Sequence, residues 1–233
     1  MHGLLVRVGI DSTCGEWNGP ARRETGDFAY VPIPEGKLLR RGLARYYREF
    51  SDATRACGRE IPKSYCSSPA HLDPDFEYLT FGDQGQRGRR IQALGSGDVL
   101  AFYAGLRAVE DGGLVYALIG LFVIDSIVRA DQVAPERWKE NAHTRRREVF
   151  DYVVVRGRAG VSGRLRHCIP IGEYRNRAYR VTRDLLNAWG GLDIADGYIH
   201  RSVRLPAFVN APRFYRWFQA QAPELLAMNN PLV

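Results

Sequence analysis

Lysine is nearly missing from this chain: of 33 basic residues, only Lys37, Lys63 and Lys139 are lysines and the other 30 are arginines. A guanidinium fork grips phosphate through paired hydrogen bonds and stacks on planar rings, which a compact ammonium does not. Cysteine is also sparse. Cys14, Cys57, Cys66 and Cys168 stand singly with no CxxC pair, so spacing supports neither a zinc knuckle nor a disulfide framework. Free thiols in a reducing compartment are expected. Long apolar runs are absent too: the stretch from Gly113 to Ile124 is about a dozen residues, short of the ~20 that a bilayer-crossing helix needs. Met1 to Arg7 lacks a basic leader followed by a long apolar core, so no membrane association and a cytoplasmic location are expected.

What is present is an ordinary globular composition. With 45% hydrophobic and 25% charged residues, the chain can bury a core, which excludes disorder, collagen and coiled coil. Its 233 residues suit a single domain spanning residues 1–233. A net charge of +7 suits a polyanionic partner. No internal repeat or linker divides the chain.

Residues 3 to 10 read as a short buried strand ended by Asp11-Ser12. A long loop follows over 11–36, rich in glycine and proline, with a brief strand at Phe28 to Ile33; loops of this length are usually functional. Leu38, Leu39, Leu43, Tyr46, Tyr47 and Phe50 recur at helical spacing and predict a helix from Lys37 to Phe50. No period is sustained over residues 51 to 90. Strands are predicted at Gly97 to Gly105, Leu114 to Ile127 and Asp151 to Val155, the first pair joined as a hairpin through Asp111-Gly112-Gly113. Short strands and turns alternate from Val161 to Arg204, with a helix from Thr182 to Trp189. A last helix runs from Pro212 to Gln221 behind an Asn210 or Ala211 cap. Consecutive strands without intervening helices predict an α+β chain with a mixed, mainly antiparallel, barrel-like sheet and flanking helices.

Four islands carry residue types suited to chemistry. Gly9-Ile10-Asp11-Ser12 places a carboxylate at a strand end, a rigid support for a functional group, with an Asx turn as the plainer reading. Ala70-His71-Leu72-Asp73-Pro74-Asp75 contains an extended His-x-Asp, and strand residues two apart point the same way. Such a pair serves as acid and base, as an oriented imidazole, or as two metal ligands; a solvated turn is the plain alternative. Phe81 to Arg90 holds three glycines and three arginines, among them Arg87, and reads as a phosphate-meeting loop without P-loop spacing. Glu140 to Arg147 offers Asn141, His143 and Arg145, residue types that read base edges or grip phosphate, or simply form a charged loop. His167 and His200 lack partners at ligand spacing and read as structural.

These islands, taken in order, resemble the third nucleotide-modification-associated domain family. Val8-Gly9-Ile10-Asp11-Ser12 and Val31-Pro32-Ile33-Pro34 are similar to its opening strand, Gly-aromatic-Asp-Ser signature and Leu-Pro-Ile-Pro. His71-Leu72-Asp73-Pro74-Asp75 looks like its His-x-Asp-Pro-Asp element. Phe81-Gly82 with Gln84 resembles its Phe-Gly-Gln loop, interrupted here by Asp83. Gly97 to Gly105 is similar to its Gly-Asp-hydrophobic strand, and Asn141 and His143 fall at its Asn-Pro-His-like element, with Ala142 in place of proline. The likeness covers most of residues 3 to 190. The strands from Gly97 to Val155 also resemble the barrel of PUA-like domains, which hold a flipped base or bind RNA.

The resemblance implies a part in synthesising, installing or handling modified bases, without a defined reaction or cofactor. It marks Asp11, His71, Asp73 and His143 as a polar, catalytic centre and Ser12, Gln84 and Asn141 as pocket members; Arg87, Tyr103 and Arg145 join them as nucleotide-binding residues. The leading expectation is an enzyme acting on a nucleotide or nucleic acid, DNA ahead of RNA, with His71 and Asp73 as acid and base. A non-catalytic reader of a modified base is the alternative. A metal-dependent nuclease is the third reading, because Asp11, His71, Asp73 and His143 are hard-ligand types; no metal site is assigned from sequence.

Overall fold

The computed structural model describes residues 1–12, 15, 17–200 and 205–231. Its strands are β1 (Gly3–Arg7), β2 (Pro20–Ala21), β3 (Ile33–Pro34), β4 (Ala70–His71), β5 (Thr80–Gln84), β6 (Val99–Ala108), β7 (Leu114–Arg129), β8 (Tyr152–Gly157), β9 (Gly163–Pro170), β10 (Gly172–Arg175), β11 (Ala178–Val181) and β12 (Leu225–Leu226). Its helices are α1 (Ser51–Ala56), α2 (Gly85–Gln92), α3 (Arg183–Trp189) and α4 (Ala211–Ala220). Eight strands form one mixed sheet along the path β1-β6-β7-β8-β5, with β2 added to β6 and with β9 and β12 added beyond β7.

The expected hairpin is its centre. β6 and β7 pair from Val99↔Val123 to Arg107↔Leu114, turned by Asp111, whose Oδ1 accepts from Gly113 N at 2.8 Å. Alternation along β6 divides its side chains between two cores. Leu100, Phe102, Ala104 and Leu106 pack with Trp17, Phe28, Tyr30, Leu72 and Phe76, while Val99, Ala101 and Tyr103 pack with Trp189, Phe214 and Phe218 from α3 and α4. Trp189 and Phe214 are fully buried, each contributing roughly 2–3 kcal/mol of hydrophobic stabilisation. Both helices begin where the sequence places them: Thr182 Oγ1 accepts from Leu185 N at 3.4 Å, and Asn210 Oδ1 accepts from Arg213 N at 3.0 Å.

The α+β class and the mainly antiparallel pairing hold, with β1 and β2 running parallel to β6. A barrel does not form. Among the described residues β1 and β5, the ends of the path, do not pair with each other. β7 is the reason: its first half pairs with β9, and after a register shift between Ile124 and Ser126 its second half pairs with β8. The sheet therefore branches and bends instead of curling round.

Four local expectations need correction. The helix over 37–50 is replaced by turns, a 3-10 turn at Tyr47–Phe50 and the short α1. Gly42 at φ +79° interrupts helical geometry, and Arg40 N instead donates to Arg145 O at 2.8 Å. The first strand stops at Arg7, since Gly9 at φ +81° turns the chain. Phe28 to Ile33 gives only the two-residue β3 at its end. The glycine- and arginine-rich loop over 81–90 is β5 followed by α2, in which Arg87 Nε bonds Asp83 Oδ2 at 2.6 Å. From Val161 onward the short strands β9, β10 and β11 appear as expected, and residues 201–204 of that stretch lie outside the described residues. No helix among the described residues is long and apolar enough to cross a membrane.

Candidate functional site

The site is assembled from five separate segments. β3 and β4 pair antiparallel with Ile33 opposite His71, which sets Glu35, just beyond β3, against the imidazole. Glu35 Oε2 lies 2.7 Å from His71 Nδ1. Two residues along, Asp73 accepts from Gly82 N of β5 at 3.0 and 3.1 Å and from Asn141 Nδ2 at 2.9 Å. The Asp73–Pro74 bond is cis.

A 3-10 turn over Pro135–Glu140 delivers Asn141, whose Oδ1 accepts from His143 N at 2.9 Å and whose Nδ2 also reaches Thr80 Oγ1 at 3.3 Å. That amide thus orders both Asp73 and the turn bearing His143. The His143 ring packs directly on Gly82: a Cβ there would lie 2.4 Å from His143 Cδ2, so only glycine admits the imidazole. His143 Nε2 is 3.3 Å from Asp73 Oδ2, and the two imidazoles meet edge-on with centroids 4.7 Å apart. Tyr152 of β8 also lies against His143, centroids 4.4 Å apart.

Arg146 ties these groups together. Its Nε and Nη2 reach the two Glu35 oxygens at 3.2 and 3.0 Å, Nη1 reaches Tyr152 Oη at 2.9 Å and His143 Nδ1 at 3.2 Å, and Nη2 lies 3.1 Å from His71 Nδ1. Because guanidinium only donates and carboxylate only accepts, this network assigns the tautomers. The shorter contact at His71 makes its Nδ1–H donate to Glu35, leaving the lone pair on Nε2. At His143, Nδ1 accepts from Arg146, so Nε2–H faces Asp73. Burial, reinforced by the charge of Arg146, lowers the pKa of His71 despite the opposing bond to Glu35.

His71, Asp73, His143 and Asn141 are therefore brought together, all of them buried. His71 takes its carboxylate partner from Glu35 and Asp73 pairs with His143, a different partnering from the His71–Asp73 acid and base of the sequence reading. Asp11 stands in another polar group: its Oδ2 is 2.6 Å from Arg7 Nη2, close to Tyr116, whose ring stacks on Tyr179 at 4.4 Å. Tyr103 belongs to that second group as well, buried with its hydroxyl donating to Ile199 O at 3.2 Å. Ser12 is exposed in a turn. Gln84 is exposed at the end of β5, and Arg87 is engaged by Asp83. Arg145 points into the protein, with Nη2 2.5 Å from the fully buried Asp75.

Sequence reasoning missed Glu35, Gly82 and Tyr152 as site members, and placed Arg146 on phosphate instead of on Glu35 and the two imidazoles. Glu35 directly follows Val31-Pro32-Ile33-Pro34 and Gly82 sits in Phe81-Gly82, but nothing local says what either faces. Arg146 was one of three consecutive arginines with no signal to separate it from Arg145.

Chemically, the cluster presents one imidazole lone pair, one carboxylate held by two hydrogen-bond donors, and a second imidazole that donates towards it. Among the described residues His71, Asp73 and His143 are the His, Cys, Asp and Glu residues whose donor atoms converge, all within 4.8 Å of one another. No curated protein and no solved structure matches this chain. The family model for nucleotide modification associated domain 3 matches residues 2–189, a span that contains every member of the cluster, and the chain belongs to that family.

Proposed function

We propose that this chain is an enzyme that modifies a nucleotide or a base within nucleic acid, with Glu35, His71, Asp73, His143 and Arg146 as its reaction centre. The observation that carries this reading is the convergence, in the interior, of two imidazoles and two carboxylates from three segments around a single guanidinium. Buried charged groups are costly to desolvate, and clusters of perturbed titratable groups concentrate at functional sites.

In this reading the His71 Nε2 lone pair is the reactive atom. Glu35 is a positioning residue that holds the His71 tautomer, and Arg146 in turn holds Glu35. Asp73 is held in place by Gly82 N and Asn141, and His143 Nε2–H supplies a donor beside it. Arg146 is taken up by its partners, so substrate phosphate falls to exposed guanidinium groups on the adjoining segments, Arg41 and Arg147. DNA is the polymer we favour over RNA. The cytoplasm is the compartment we assign, where free thiols such as Cys57, Cys66 and Cys168 persist.

The test compares cells expressing the wild-type chain or His71→Ala, with nucleotide pools and DNA digested to nucleosides and weighed by mass spectrometry. A new nucleoside mass that appears with the wild type and vanishes with a folded His71→Ala supports the reading. Identical profiles, together with wild-type binding to DNA that falls steeply as salt rises, would make the protein a reader instead.

A further inference from the structure

We propose that His71, Asp73 and His143 bind one divalent transition-metal ion, with Glu35 and Asn141 as the groups that orient its ligands. The inference concerns the same cluster as the reading above and assigns a use to its lone pair, but it does not depend on nucleotides being the substrate.

Geometry is the first argument. Ligands held ~2.1 Å from a common ion lie roughly 3.0–3.5 Å from one another. His143 Nε2 and Asp73 Oδ2 are already 3.3 Å apart, and the full set of three donor atoms fits within 4.8 Å.

The surroundings are the second argument. A histidine that ligates through one ring nitrogen characteristically donates its other N–H to a carboxylate. His71 does so: Nδ1 faces Glu35 at 2.7 Å, and Nε2 accepts no hydrogen bond among the described residues. Asp73 is held by Gly82 N and Asn141 Nδ2, the arrangement expected of an oriented ligating carboxylate. Two carboxylates face one guanidinium here, so local charge does not oppose a divalent cation. Coordination by His143 Nε2 moves its proton to Nδ1. Arg146 then gives up its 3.2 Å contact there and keeps Tyr152 and Glu35.

The donor set narrows the ion. Two imidazole nitrogens and one carboxylate oxygen suit the first-row divalent series from Mn2+ to Zn2+, and the lack of a thiolate disfavours Cu(I). Three protein ligands are also the usual complement of a catalytic centre, which keeps a position for water or substrate.

Tag-free chain, stripped with chelator and desalted, is titrated with Co2+ and followed by visible absorption, with bound metal counted by elemental analysis. One Co2+ per chain, visible d–d bands and displacement by Zn2+ are expected. Asp73→Asn and His143→Ala should lose the bands, and Glu35→Gln should weaken binding about 10–100-fold while retaining them. Should either ligand variant fail to fold, the wild-type spectrum still decides. No bound Co2+, or a thiolate-to-cobalt charge-transfer band placing the ion on cysteine, overturns the proposal. A nucleoside mass shift from a chain that binds no Co2+ at the cluster would overturn this inference alone. Metal bound at the cluster with no mass shift would sink the functional reading alone.

Discussion

Glu35 Oε2 and His71 Nδ1 lie 2.7 Å apart across 36 positions of sequence, joined by the pairing of two two-residue strands. The Glu35 carboxyl shows the consequence. Burial by itself would raise its pKa, but the hydrogen bonds and charges of His71 and Arg146 outweigh that and hold it at about 2, against an ordinary 4.5.

A group with a depressed folded-state pKa stabilises the fold fully above its unfolded value and loses that contribution as pH falls through the folded one. For Glu35 the window runs from 4.5 down to about 2. Chemical denaturation in the presence of chelator should show wild type losing roughly 2–4 kcal/mol more than Glu35→Gln across that window. Parallel pH dependences of the two proteins would show that the pair contributes nothing.

Gly82→Ala should damage the site without touching a polar group. The added methyl would lie 2.4 Å from His143 Cδ2 and 3.0 Å from Val153 O, on a strand that cannot retreat. A loss of about 1–3 kcal/mol in thermal or denaturant unfolding is expected. Cobalt binding should weaken with it, because the imidazole is displaced.

Arg145 and Arg146 are neighbours with opposite expected phenotypes. Arg145→Met removes the cation facing Asp75, which is 0% exposed and otherwise accepts from Asn229 Nδ2 at 3.0 Å and Glu77 N at 3.1 Å, and should cost about 3–5 kcal/mol. Arg146→Met should cost less in unfolding experiments and more in nucleoside modification, since its partners are Glu35, His71, His143 and Tyr152. Measuring both quantities for both variants decides it: equal ratios of stability loss to activity loss would contradict the assignment.

Burial pushes the Cys57 thiol up to about 11 and the Cys168 thiol up to about 12. At pH 8 the Cys57 thiolate is then about one part in a thousand. Native protein treated with a disulfide reagent should leave both thiols unmodified by peptide mapping, and guanidinium-unfolded protein should modify both at once. Rapid native labelling of Cys168 would mean that the Gly163–Pro170 strand opens readily.

The sequence alone determined those parts of the protein that rest on neighbouring residues. Asp111-Gly112-Gly113 between two apolar runs specifies the central hairpin, and Thr182 and Asn210 specify where two helices start, because turns and caps are closed by atoms a few residues apart. The ordered islands likewise identified the family and picked out His71, Asp73, Asn141 and His143. Helical spacing over Lys37 to Phe50 misled, since Gly42 and a bridge to Arg146 outweighed it. Only the tertiary structure decided which carboxylate meets which imidazole, which of two adjacent arginines enters the core, and that Asp11 belongs with Arg7. Those choices are settled by contacts between segments far apart in the chain, and a short-range pattern contains no information about what will be packed against it.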